Sequence, residues 1–236
     1  RGIPERELLD RLDLRGEIIF TIDGADSKDL DDAVSLAKQG GFYRLGVHIA
    51  DVSHYVKPHS LLDEEAFARG TSVYYADQVL PMLPKALSNG ICSLNPQEER
   101  LAFSALLTLS PEGKLLDFTF RKTVIRSRVK GIYSEVNALL RGDADERLRE
   151  KYREVLPLLP LMKELKDLRL ALRKGRGAPD LDSPESKLVI GPDGRTAEVL
   201  PRVSGEAESI IEEFMLLANE AAATLARGLA IPIVYR

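Results

Sequence analysis

Leucines recur at helical spacing between charges in ERELLDRLDL, which predicts a helix over residues 5–14, and the run from Glu17 to Ile22 is short and rich in strand formers. An acidic loop, Asp23 to Asp32, separates that strand from two more, AVSLAK and FYRLGVHIA, which the Gln39-Gly40-Gly41 turn joins as a hairpin. Residues 60–69 read as a helix and residues 72–84 as extended chain around two prolines. LAFSALLTL (101–109) and LLDFTFRKTVI (115–125) form a second predicted hairpin closed by Pro111-Glu112-Gly113. From Tyr133 to about Lys174 the pattern becomes helical and highly charged, with Pro157 and Pro160 expected to kink or break it. A loop over 174–184 and a hairpin around Gly191-Pro192-Asp193-Gly194 precede an amphipathic helix near 206–228, and the chain ends on Ile231-Pro232-Ile233-Val234-Tyr235. The strands of the first half need the helices of the second to bury an apolar face, so the pattern predicts one mixed α/β domain.

Composition narrows the setting. The chain has 236 residues and a single cysteine, Cys92, so an intramolecular disulfide and a Cys-rich zinc site are both excluded. Thiol usage of this kind fits a reducing, cytoplasmic environment. The apolar runs fall short of the roughly 18 residues of a membrane span, and the first residues lack the apolar core of a signal peptide, so no membrane association is expected. With 33 basic and 37 acidic side chains the net charge is -4, which argues against a surface coated in positive charge for duplex DNA. A local basic channel is compatible with that total.

The chemistry concentrates in TIDGADSKDLDDAV (21–34), where Asp23, Asp26, Asp29, Asp31 and Asp32 face a single Lys28. Crowded carboxylates repel and raise one another's pKa, so such a cluster needs either bound cations or solvent. Oxygen donors of this type select Mg²⁺ or Mn²⁺, and magnesium takes one or two carboxylates together with substrate phosphate oxygens. That donor set suits phosphodiester cleavage with two metals about 4 Å apart. A solvated Asp-rich turn explains the cluster equally well on composition alone. An EF-hand does not: counted from Asp29, the ligand positions fall on Asp31, Ala33, Val34 and Gly40. An aspartyl-nucleophile phosphatase also fits poorly, because Asp29 and Asp31 lie beyond the end of the EIIFTI strand rather than at its tip.

Four collinear segments carry a more specific signal: TIDGADSKDLDDAV, LGVHIADVSHYV (45–56), RGTSVYYADQVLPMLPKALSNGICSLNPQEERLAFS (69–104) and IIEEFMLLANEAAA (210–223). In this order they resemble the ribonuclease II / ribonuclease R exoribonucleases and their catalytic RNB domain, with the bacterial ribonuclease R branch the more similar. The resemblance implies an RNB-type catalytic domain over 1–236, a curved mixed sheet enclosed by helices around a narrow RNA channel. It also implies hydrolytic 3′→5′ degradation of single-stranded RNA to nucleoside 5′-monophosphates by a cytoplasmic, monomeric enzyme that does not use DNA. The family's flanking OB folds, two cold-shock-like and one S1-like, are absent from these residues, as is its later arginine-bearing motif, so the catalytic domain is expected to be incomplete at its C-terminal end. The alternative is a catalytically silent RNB-type regulator that binds RNA.

Residue by residue, the resemblance assigns the metal pocket to Asp23, Asp29, Asp31 and Asp32, holding Mg²⁺ in a two-metal site that Mn²⁺ also fills. Asp31 is the residue on which the chemical step depends most, and Asp26 falls outside the matched set. Tyr74 corresponds to a tyrosine that stacks on the nucleotide at the 3′ end. Leu181, in GAPDLDSPESK, stands where the family often has a phenylalanine, which makes it a second RNA contact without a π-face. His48 and His54 are expected to be structural, Asp51 a hydrogen-bonded turn carboxylate and Cys92 an inert buried thiol. Glu213 and Asn219, and the basic runs Arg121–Lys130 and Arg169–Arg176, are candidates for the RNA path.

Overall fold

The computed structural model describes residues 3–75, 78–178, 186–191, 196–201 and 204–235. Helix α1 (Glu5–Leu9) is shorter than the predicted 5–14. Past Asp10 the chain leaves the helix because Arg11 turns inward to a buried partner, and β1 (Leu12–Asp13) pairs in parallel with Thr123 and Val124. Strands β2 (Ile19–Asp23), β3 (Asp32–Gln39) and β4 (Phe42–Ala50) follow as expected. Gly40 and Gly41 both have positive φ, +57° and +85°, the mirror-image two-residue turn whose twist matches the flanking strands.

Helices α2 (Val52–Tyr55) and α3 (Leu61–Arg69) come next, the latter capped by Ser60, whose hydroxyl accepts from Asp63 N at 3.2 Å. The segment read as extended contains the small hairpin β5 (Val73–Tyr74) and β6 (Val79–Leu80), then a π-helical turn over Ala86–Ile91. Strands β7 (Glu99–Leu109) and β8 (Leu115–Ile132) form the second hairpin. β8 runs past its predicted end at Ile125 because its last residues, Ser127 to Ile132, pair in parallel with β2.

Helices α4 (Tyr133–Arg141), α5 (Glu146–Lys151) and α6 (Leu159–Gly175) occupy the charged region. The helical stretch breaks at Pro157 and Pro160, as expected. Each sits in the first turn of a helical segment, a 3₁₀ turn over Leu156–Leu158 and α6 itself, where a missing N–H leaves no bond unmade. β9 (Ser186–Ile190) and β10 (Thr196–Pro201) pair antiparallel; the turn residues 192–195 between them lie outside the described residues. The last helix, α7 (Glu206–Gly228), matches its predicted span.

The fold is mixed α/β. Pairings β2–β3, β3–β4, β4–β7, β7–β8 and β8–β2 make a closed circuit, because long β8 pairs antiparallel with β7 through its first two thirds and parallel with β2 over Ser127–Ile132. Gly131 permits that last approach: a Cβ there would lie 2.4 Å from Thr21 O. Large apolar side chains on the outer face, among them Phe20, Val34, Leu45 and Leu107, pack against Val136, Met162, Phe214 and Leu217 of the helices. The inner face carries small or polar residues, among them Ala33, Ser35, His48, Ala102 and Ser104, alongside Ile19 and Ile125. Among the described residues no helix is long and apolar enough to cross a membrane.

Candidate functional site

Barrel closure brings the acidic residues to one end. Asp23 is the last residue of β2, Asp32 is the first of β3 opposite Ile49, and the loop between them carries Asp29 and Asp31. Asp23, Asp29 and Asp32 are half-buried, whereas Asp31 and Asp26 are exposed. Burial, then the charge of Asp32, pushes the Asp23 carboxyl up to about 7. Burial, then the charges of Asp29 and Asp32, pushes Asp31 up to about 6, and burial raises Asp32. Asp31 is the most solvent-exposed of the four, so water screens its share of this repulsion more than that of Asp23.

Asp23 makes this end of the barrel receptive to a cation. Asp23 Oδ2 is buried and has no hydrogen-bond partner among the described residues, which is costly for a carboxylate oxygen unless something positive meets it. Among the described residues no three or more His, Cys, Asp or Glu side chains form a group that holds a metal ion by themselves. Magnesium needs no such cage, because it keeps waters and completes its shell with substrate phosphate oxygens.

The tyrosine predicted to grip RNA is attached to this loop. Tyr74 on β5 is 66% exposed and its hydroxyl donates to Asp29 Oδ2 at 3.4 Å. Leu181 lies outside the described residues. A cavity of about 720 Å³, lined by Ser35, Arg44, Thr108 and Asp117, opens at the opposite end of the barrel and includes none of the aspartates from 23 to 32.

A pH-dependent response to cations follows from the two raised carboxyls. Groups that titrate higher in the folded chain than their ordinary 3.8 contribute stability below that value and lose it as pH rises through 6 and 7. A divalent cation held by the ionised forms would offset the loss. Mn²⁺ at about 100 times its Kd should therefore stabilise the protein by about 2.7 kcal/mol near about pH 8 and by much less near about pH 5. Thermal melts with and without the ion test this; equal shifts at both pH values would put the cation elsewhere.

Other candidates resolve by their contacts. His48 is fully buried, hydrogen-bonded to Ser35 Oγ (3.0 Å) and Ser104 Oγ (2.7 Å), and burial pushes it down to about 3, so it is a neutral structural residue. His54 lies 3.5 Å from Arg11 and 3.6 Å from Glu7. Asp51 accepts from Ser53 Oγ at 3.0 Å and pairs with buried Arg11 at 2.6 Å, a partner that sequence spacing does not disclose. Burial raises the Cys92 thiol to about 11, which makes it inert.

The RNA-path candidates are largely occupied. Glu213 is buried and pairs with Arg173 at 2.8 Å, while Asn219 is exposed. Arg169 and Arg176 pair with Glu220 at 3.1 and 3.0 Å, so this basic run ties α6 to α7. In the other run, Arg128 donates to the carbonyls of Arg15, Gly16 and Glu17, and Lys130 to those of Ala25 and Ser27, which leaves Arg121, Lys122 and Arg126 as its exposed members.

The family described as "RNB domain" matches residues 11–236. The chain belongs to the RNB-domain family. It is 47% identical to "Ribonuclease R 1" of Lactococcus lactis subsp. lactis (strain IL1403) over 99% of its own length and 28% of that relative. Its structure is similar to that of Mycoplasma genitalium RNase R in complex with ribose methylated single-stranded RNA, at a TM-score of 0.88 and 30% identity, covering 98% of this chain and 36% of the other. Yeast Ssd1, described as a pseudonuclease, shares the fold at a TM-score of 0.69 and 18% identity, with coverage of 94% and 27%. This RNB chain thus spans little more than a quarter of the Lactococcus relative.

Proposed function

We propose that this RNB domain is the catalytic part of a metal-dependent hydrolytic exoribonuclease that shortens single-stranded RNA from its 3′ end and releases nucleoside 5′-monophosphates. The observation that supports it most is the coupling of the carboxylates Asp23, Asp29, Asp31 and Asp32 at one end of the barrel, with the Tyr74 hydroxyl on Asp29. Asp23, Asp29, Asp31 and Asp32 hold Mg²⁺, or Mn²⁺ in its place, as a two-metal site. When bound, the cations neutralise charge on the oxygens of the scissile phosphodiester. Asp31 orients the attacking water at its carboxylate.

Tyr74 presents an exposed ring to the terminal base, and stacking of this kind tolerates any base while contributing about 1–3 kcal/mol. Leu181 supplies a second, apolar contact. The substrate is RNA rather than DNA, and the enzyme works as a monomer in the cytoplasm. The rival reading, a silent RNA-binding regulator, has against it that all four aspartates are present and coupled.

The test is incubation of 5′-labelled oligo(A) with this chain, and in parallel with the full-length protein that contains it, with and without Mg²⁺. A ladder that shortens from the 3′ end only with the cation is the expected result. RNA binding by the full-length protein without cleavage in Mg²⁺ or Mn²⁺ would favour the regulator. In the same assay Tyr74→Ala should change the length of the final product and weaken affinity by about tenfold, with the cleavage step little altered, because a stacking ring moves no proton. Those effects in Tyr75→Ala instead would shift the stacking residue by one.

A further inference from the structure

The acidic loop lies between two strands that end before its central carboxylates, and like charges push it open. Two side chains from elsewhere in the fold hold its backbone. Ser93, fully buried, accepts from Leu30 N at 3.0 Å and shares its proton between Lys28 O (3.1 Å) and Asn95 Oδ1 (3.2 Å). One hydroxyl therefore grips the residues on both sides of Asp29. The adjacent Leu94 N donates to Leu30 O at 2.8 Å. From β8, Lys130 Nζ donates to Ala25 O at 3.1 Å and Ser27 O at 2.6 Å, which holds the first half of the loop.

The brace is itself anchored. Ser93 follows the π-helical turn Ala86–Ile91, and its own carbonyl accepts from Arg100 Nε at 2.8 Å. We propose that Ser93 and Lys130 are positioning residues of the metal site: through their bonds to the loop backbone, they hold Asp29 and Asp31 where a divalent cation meets them already arranged. The proposal rests on the metal-site reading above. Its chemistry is that of an outer shell, where partners that orient ligands govern cation affinity without touching the ion.

The experiment titrates Mn²⁺ into the 236-residue chain and follows the electron paramagnetic resonance signal of the free ion, with amide exchange at Leu30 and a thermal melt for each variant. Ser93→Ala should weaken Mn²⁺ binding by about tenfold, and Lys130→Met should weaken it less, because it also removes a positive charge that acts on Asp23. Ser93→Ala should also speed exchange at Leu30, and Ser93→Thr and Lys130→Arg, which keep the donors, should restore binding toward the parent. Val155→Ala, in the distant helical core, should lower the melting midpoint without weakening Mn²⁺ binding. Parent-like Mn²⁺ affinity in both Ser93→Ala and Lys130→Met, or an equal loss in Val155→Ala, overturns the brace. Asp23→Asn separates the two readings: if it also binds Mn²⁺ like the parent, the metal site itself is misplaced, whereas weakened binding in Asp23→Asn beside intact binding in Ser93→Ala rejects the brace alone.

Discussion

Asp31→Asn should lower the rate of RNA cleavage by on the order of 10²–10³-fold or more while RNA affinity changes little. The substitution keeps the size and shape of the side chain and removes its charge. Because the Asp31 charge is repelled by Asp29 and Asp32, its removal should leave stability unchanged or slightly raised at neutral pH. If Asp31 acts mainly on the transition state, its loss appears in the chemical step rather than in binding. The measurement is single-turnover cleavage of a labelled single strand by the full-length protein, with filter binding for affinity and a thermal melt to verify folding. Asp26→Asn is the control: its carboxylate is exposed and outside the four coupled groups, and it should be nearly silent. Robust cleavage by Asp31→Asn, or collapse in Asp26→Asn alone, would mean that the wrong carboxylates have been assigned.

Arg11→Met should destabilise the fold by about 3–5 kcal/mol, because it strands a buried partner. The Arg11 and Asp51 side chains are 2% and 4% exposed and meet at 2.6 Å, and Arg11 Nη1 reaches the carbonyls of Ala102 and Thr123 at 3.4 Å. One guanidinium thus joins the end of β4, the start of β7 and the middle of β8 to the N-terminal segment. Burial alone would raise the Asp51 carboxyl, but hydrogen bonds from Arg11 and Ser53 and the charge of Arg11 outweigh it and hold the group below its usual range. A lowered folded pKa contributes stability above the unfolded value and loses it as pH falls through the folded one, so the deficit of Arg11→Met should shrink in acid. Denaturant melts at neutral and acidic pH measure it. Adding Asp51→Asn to Arg11→Met should recover part of the loss, since the stranded charge is then gone; no recovery would mean that Arg11 works through packing alone. Ala50 N, one residue before Asp51, donates to Asp31 O at 2.9 Å, so the same ion pair steadies the strand end beside the acidic loop.

Elements with a strong local period were legible in the sequence. The apolar stripe of 206–228 recurs every three to four residues and yields α7 without help from elsewhere, and Gly40-Gly41 encodes a turn that only positive φ permits. The acidic cluster of 23–32 was likewise visible in the sequence, and the fold brings the charges of Asp31 and Asp32 to bear on Asp23 and those of Asp29 and Asp32 on Asp31. What spacing could not convey was which distant group each polar side chain meets. Arg11 looks like one more charge on a helix until Asp51, 40 residues away, takes it. The basic runs look like a path for RNA until Glu213, Glu220 and backbone carbonyls occupy much of them. Closure of the barrel through β8, and Ser93 reaching back to Lys28 and Leu30, arise in the same way. Periodicity along a chain reports the face that each segment buries; partners far apart in sequence are chosen by how those faces pack, and only the tertiary structure decides that.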